Sequence, residues 1–291
     1  MKYGLHLPHF GALATPKFMG DTARQAEALG FDSLWLSDHL FVPSEITSEY
    51  PYRSDGIIGL DPRQPFHDPF ALLPWLAALT SRIELGIGAF VAPYRRAIVT
   101  AKLVGTTDVL SGGRTRLVAG AGWMEQEFTA IDVPFDRRGP ITDETLNAMT
   151  QIFAQPITTV GGVEFGAEPR PLRQPYPLMV GGHSNPAMRR ALRLGHGIQF
   201  TPESPAEIAE LVARLADRAG GAIPNGFIVS ARIHLSRFEA GDDPEPILEQ
   251  IRMAGSPGVT EVVVSILDRD AERYATRLET LAGWLGLETA P

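Results

Sequence analysis

The chain of 291 residues contains no cysteine. Disulfides, thiolate-held metal clusters and thiol nucleophiles are therefore excluded, and the composition fits a reducing compartment such as the cytoplasm. Positive charge is in short supply: 26 Lys and Arg stand against 34 Asp and Glu, a formal net charge of -8. That balance disfavours non-specific binding to nucleic acid or to an anionic membrane. No apolar run reaches the roughly 18 residues that a membrane helix needs. The opening "MKYGLHLPHFGAL" lacks the apolar core of a signal peptide. There is no Walker motif, no three-glycine dinucleotide fingerprint and no Gly-x-Ser-x-Gly nucleophile elbow. His6 and His9 are three apart around Pro8 with no carboxylate cluster near them in sequence, so no metal site is expected.

What the chain does have is an alternation. Short apolar or β-branched runs recur at Tyr3–Leu7, Ser33–Leu36, Ile83–Val91, Thr115–Ala119, Leu178–Val180, Gly197–Thr201, Phe227–Leu235 and Glu261–Leu267. Helical periodicity lies between them, as in Pro16–Leu29, Ala97–Leu110, Pro205–Ala219 and Asp268–Leu285. Strands alternating with helices imply parallel pairing through right-handed crossovers. Eight such units predict an α/β fold, a (β/α)₈ TIM barrel, with an open doubly wound sheet as the alternative. No composition shift marks a linker, so residues 1–291 read as a single domain. Two segments break the rhythm. Residues 41–67 form a long loop rich in Pro, Tyr and Asp, and residues 156–177 read as an inserted hairpin with a proline-rich connection.

In a barrel of this kind the chemistry lies at the C-terminal ends of the strands. The fifth exit, "VGGHSNPAM", joins a glycine pair to a helix start. Gly181 and Gly182 allow close backbone approach, and Ser184 or Asn185 can cap the helix. The free amides and the dipole there make an anion site, with a plain capped turn as the other possibility. The fourth exit, "AGAGWMEQEF", offers small residues beside the flat wall of Trp123. Two small-residue exits side by side point to a planar cofactor across the mouth. The second exit, "SDHLF", sets Asp38 beside His39, and on an extended segment only one of the two can face the pocket. His39 is the candidate for proton handling or ring polarisation, while a helix cap by Asp38 beside a satisfied histidine remains open. Arg95, Arg96, Arg189 and Arg190 could meet an anionic tail or simply face solvent.

Taken together, "ALGFDSLWLSDHL", "SRIELGIGAFVAPYRR", "LVAGAGWMEQEF", "VPFDRRGPITDE" and "PLMVGGHSNPAMRRALRLGHG" resemble the bacterial luciferase-like flavin and deazaflavin oxidoreductases. The likeness is closest to the branch that uses the deazaflavin coenzyme F-420. It covers most of the chain and thins after about residue 200. The resemblance implies a barrel with an insertion, often a homodimer, and a ring held without a covalent bond. It implies a non-proline cis peptide at Gly88–Ala89 under that ring. It assigns the phosphate to Gly181, Gly182, His183 and Ser184, the ring's polar edge to Asp38 and His39, and its flanks to Ala121, Gly122, Trp123 and Gln126. Some sugar-phosphate-oxidising relatives carry a glutamate acid where this chain has Trp123, so their substrate and proton donor are not carried over. The expected activity is hydride transfer between coenzyme F-420 and a small organic substrate under the 41–67 loop. The alternatives are an FMN-dependent monooxygenase and a non-catalytic flavin- or phosphate-binding barrel.

Overall fold

The computed structural model describes residues 1–288. The first half runs β1 (Lys2–His6), α1 (Pro16–Ala28), β2 (Ser33–Leu36), α2 (Pro69–Leu79), β3 (Glu84–Val91), α3 (Ala97–Leu110) and β4 (Thr115–Gly120). Then come α4 (Glu125–Ala130), α5 (Arg138–Ala154) and the small hairpin β5 (Thr158–Val160) and β6 (Val163–Phe165). The chain finishes with β7 (Leu178–Gly181), α6 (Asn185–Leu194), β8 (Gly197–Phe200), α7 (Ile208–Arg218), β9 (Ile228–His234), α8 (Glu245–Ala254), β10 (Glu261–Ser265) and α9 (Ala271–Trp284). Eight of the strands pair in parallel in the order β1-β10-β9-β8-β7-β4-β3-β2, and β1 pairs with β2 to close the ring. The expected (β/α)₈ barrel is therefore the observed fold, and the open doubly wound sheet is ruled out.

Local chemistry starts the helices. Thr15, Asp68 and Ser184 each accept backbone N–H bonds at a helix start, and Pro16, Pro69 and Pro186 occupy the first turn. Proline suits that position because its missing N–H has no intrahelical partner there. The helix α2 was not among the periodic segments read from sequence. It is apolar almost all round and carries Pro74 inside, so it shows no amphipathic stripe.

Residues with alternating register point into the barrel in layers. The bottom layer is ionic. Arg116 Nη2 donates to Glu261 at 2.5 Å, Arg116 Nε stands 3.2 Å from Glu84, and Ser33 Oγ donates to Glu261 at 2.7 Å. The middle layer packs Trp35, Val118, Met179 and Val263. Gly86 exists for this layer, since a Cβ there would lie 2.3 Å from the Trp35 ring. The inserted hairpin and its connection reach the bottom end: Arg173 donates to Glu84 and to the Thr115 carbonyl at the start of β4. The insertion thus lies at the barrel end opposite the strand exits.

Removing Arg116 would leave the Glu261 carboxylate without a cation in a dry layer. Breaking a buried ion pair from one side costs roughly 3–5 kcal/mol. Arg116→Met is therefore expected to lower the urea unfolding free energy by about that much. A loss below about 1 kcal/mol would show that the floor does not need the cation.

Candidate active site at the barrel mouth

On the β3, β4 and β7 side, the top layer of the barrel carries only small residues. β3 contains a cis peptide at Gly88–Ala89, and its register against β4 shifts between Gly88 and Phe90. The bulged Ala89 methyl projects toward two glycines. A Cβ on Gly120 would come within 3.1 Å of it, and one on Gly181 within 3.2 Å. Gly181 therefore serves the bulge, a reason that its place in "VGG" did not disclose. Gly88 is confined as well: a Cβ there would lie 2.5 Å from Gln199 and 2.9 Å from Trp35.

His39 follows β2 and is buried. Its Nδ1–H donates to Glu127 Oε2 at 2.7 Å. Glu127 is fully buried on α4, accepts the Leu40 amide at 2.5 Å and accepts the Tyr94 hydroxyl at 2.6 Å. Three donors meet one carboxylate, which must act as acceptor to all of them. That fixes an N–H of His39 on Nδ1 and turns Nε2 away from Glu127. Among the described residues, Nε2 has no hydrogen-bond partner. Burial, with the Glu127 charge next to it, pushes the Tyr94 phenol far above its ordinary value, so Tyr94 stays a donor. Glu127 was missed from sequence because nothing local marks it; it sits 88 residues from His39.

Asp38 is also buried, but its carboxylate is turned away to a different task. It accepts two bonds from Arg95, at 2.7 and 3.0 Å, and one from the Val91 amide at 2.9 Å. Burial pushes its carboxyl up, and Arg95 opposes that push. Arg95 further donates to Asp68 at 2.7 Å. Arg95, read as a tail-binding candidate, is thus held by two carboxylates, and Arg190 is likewise paired with Asp143 at 2.8 Å.

The long loop lies across the mouth. A row of rings in edge contact runs from Phe66 to His39 (5.2 Å), to Trp123 (5.7 Å), to Tyr50 (5.1 Å), to Tyr52 (5.4 Å) and to His183 (5.3 Å). Burial holds the Tyr52 phenol up at about 12. Gln126 accepts from the Thr47 amide at 3.1 Å and donates to the Glu45 carbonyl at 2.5 Å, so its side chain fastens the loop. Ser54 donates to Glu203 beyond β8. Ala121 follows the end of β4. Gly122 has φ +84°, and a Cβ there would strike Phe128 at 2.7 Å and Val91 at 2.8 Å, so it packs against protein.

At the fifth exit, Gly182 has φ +108°, a region L side chains rarely adopt, and Tyr52 Oη lies 3.5 Å from where its Cβ would be. Ser184 Oγ caps α6 by accepting the Ala187 amide at 3.3 Å. Among the described residues, the amides of His183, Ser184 and Asn185 find no protein acceptor. Two cations from α7 border this turn: Arg214 donates to the His183 carbonyl at 3.3 Å and Arg218 to Asn185 at 2.8 Å. Neither was singled out in sequence, where both look like solvent-facing helix charge.

Residues 1–280 match the family model described as luciferase-like monooxygenase. The chain belongs to that family. An uncharacterized protein of Mycobacterium tuberculosis is 29% identical over 277 residues, covering 89% of this chain and 90% of that one. The F-420-dependent glucose-6-phosphate dehydrogenase of Kineococcus radiotolerans is 31% identical over 194 residues, 62% of this chain and 51% of that protein. The crystal structure of monooxygenase RslO1 from Streptomyces bottropensis shares the fold, with a TM-score of 0.74 at 20% identity over 98% of both chains.

In this luciferase-like barrel the first strand's exit sets a limit at low pH. His9 is fully buried, its Nδ1–H donates to the Leu7 carbonyl at 3.0 Å, and its Nε2 accepts the Ser37 amide at 3.2 Å. Burial lowers its pKa from 6.5 to about 4. The unfolded chain therefore binds more protons than the folded one between those values. Stability is unaffected above pH 6.5 and falls as pH drops toward 4, by up to about 3 kcal/mol from this group. His9→Gln is expected to flatten that part of the pH–stability curve measured by urea melts. An unchanged slope would assign the acid loss to other groups.

Proposed function

We propose that the chain is an oxidoreductase that moves a hydride between the deazaflavin coenzyme F-420 and a small organic substrate in the barrel mouth, with residues 1–291 working as one domain. The observation that carries this reading is His39, held by the buried Glu127, beside the Gly88–Ala89 bulge whose small methyl Gly120 and Gly181 admit. A flat ring would rest against that small-residue bulge, and a phosphate fits the unpaired amides of residues 183–185 at the start of α6. When bound, the coenzyme supplies the hydride-carrying carbon; the chain supplies position and proton handling. His39 accepts or delivers a proton at Nε2, and Glu127 keeps that nitrogen available. Trp123, Tyr50 and Tyr52 keep water from the mouth while the loop stays down. Asp38 acts through Arg95 to hold the loop bases in place.

F-420 is favoured over FMN by Arg214 and Arg218, which give an acidic tail two cations beside the phosphate turn. It is also the cofactor in the name of one relative. Fluorescence titration is expected to show the chain binding F-420 more tightly than FMN. Replacing Arg214 and Arg218 by Met should weaken F-420 about tenfold or more and leave FMN little changed, on roughly 1.4 kcal/mol per decade. Equal effects would favour an FMN-dependent monooxygenase, and binding of neither ring would end this reading. His39→Ala is expected to lower turnover by about 10²–10⁴ with ring affinity kept. Tight binding with no turnover of any substrate in the parent protein would instead mark a non-catalytic carrier.

A homodimer is proposed as well, across α3. This helix is apolar on its outer side too: Val99 is 53% and Leu110 69% exposed, with Ile98, Leu103 and Val109 beside them. A helix apolar all round is ordinarily covered on every side. Light scattering should give the mass of two chains for the parent and of one for Val99→Asp/Leu103→Asp. A monomeric parent would refute the dimer.

A further inference from the structure

The buried arginines among the described residues are matched by acids; the partly buried Arg232 at the centre of the mouth is not. Arg116, Arg190 and Arg277 each lie on a carboxylate. Arg232 does not. It projects inward from β9, directly across the barrel from β3, in the alternation Ser230, Arg232, His234. Its Nη1 donates to Ser37 Oγ at 3.0 Å and to the Gly88 carbonyl at 3.1 Å. Those two bonds use up Nη1. Nε is buried with no acceptor, and Nη2 makes no bond to the described protein. Nε and Nη2 share one edge of the guanidinium, the planar fork that matches a carboxylate with two parallel bonds.

The surroundings supply no counter-charge. The ionisable groups that face Arg232 are the phenols of Tyr50 and Tyr52 and the imidazoles of His6, His9 and His234. Burial holds His6 well below its ordinary value, so it is neutral near pH 7. On the neighbouring strand, Ser265 pairs in register with His234 and shares the inward face. It is 3% exposed and its Oγ also has no partner. Two unmet polar groups thus share the inward faces of the paired strands β9 and β10, Ser265 one pleat above the register partner of Arg232. Pinning the Gly88 carbonyl explains Nη1 alone. It leaves a charged donor and a hydroxyl unmet, which folding by itself disfavours.

We propose that Arg232 and Ser265 form the subsite for a carboxylate on the substrate. The Arg232 fork takes the two carboxylate oxygens and Ser265 donates to one of them. One planar fork among neutral imidazoles suits a single negative charge better than a phosphate dianion, which would call for a second cation. The inference rests on the proposed oxidoreductase reading for calling the ligand a substrate. The anion site itself does not depend on which ring binds.

Isothermal titration of the full chain with acetate and benzoate, each against its neutral amide, tests it. The carboxylates are expected to bind at least tenfold more tightly than the amides. Arg232→Met should remove that preference, Arg232→Lys should restore part of it, and Ser265→Ala should weaken it severalfold, with the affinity for F-420 unchanged in all three. Equal binding of acid and amide by the parent chain would overturn the proposal, whether or not Arg232→Met folds. So would carboxylate binding that survives Arg232→Met, or a loss of F-420 affinity in its place, which would assign the fork to the ring. Carboxylate binding that depends on Arg232 in a chain that binds neither F-420 nor FMN would sustain this site while ending the oxidoreductase reading.

Discussion

The carboxylate of Glu127 is the point on which the mouth of this barrel depends. It is fully buried and receives a ring N–H from His39, an amide from Leu40 and a hydroxyl from Tyr94. Those donors come from the exit of β2 and from the turn after β3, while Glu127 itself follows β4. One charge thereby ties three strand exits together in a dry environment, where each bond is stronger and each unmet group more costly. The orientation of His39, and with it the available nitrogen, follows from this contact.

The second organising constraint is steric. The β3 bulge carries the Ala89 methyl toward β4 and β7, and only glycine at 120 and 181 leaves room for it. Trp35 fills the layer below and requires Gly86. The barrel is thus packed by an indole in its middle, ionic at its floor and lined by small residues on one side of its top. This gradient sets a flat opening over a rigid base, the arrangement that holds a functional site on regular elements. The lid is different in kind. It rests on aromatic contacts, on hydrogen bonds with Gln126 and Glu203 and on a bridge between Phe66 and Phe10, all outside the barrel ladder.

Charge pairing divides the arginines into two groups. Arg95, Arg116 and Arg190 are satisfied by acids and hold the frame. Arg214 and Arg218 border the turn at α6, and Arg232 faces the axis with its fork unmet. Sequence position does not separate these groups. Arg95 sits at a strand exit and looked like a ligand for an anion, yet two carboxylates brought from 27 and 57 residues away claim it. Arg232, in the middle of β9, faces the axis with no acid on it.

By itself the sequence determined what depends on neighbours along the chain. The alternation of apolar runs and helical periods fixed eight strands in the right order, because strand and helix periods are local. The Ser-Asn-Pro start marked the beginning of α6 for the same reason, and "VGGHSNP" marked a turn at that end. The family pattern pointed to His39, Trp123 and the cis bond at Gly88–Ala89. Only the tertiary structure decided what each of these groups faces. Glu127 beneath His39, Asp38 turned to Arg95, Gly181 making room for Ala89, Gln126 fastening the loop and Arg232 lacking a partner are all contacts between distant segments. A hydrogen bond or a counter-charge is set by where the barrel closes, and no spacing within the chain records it.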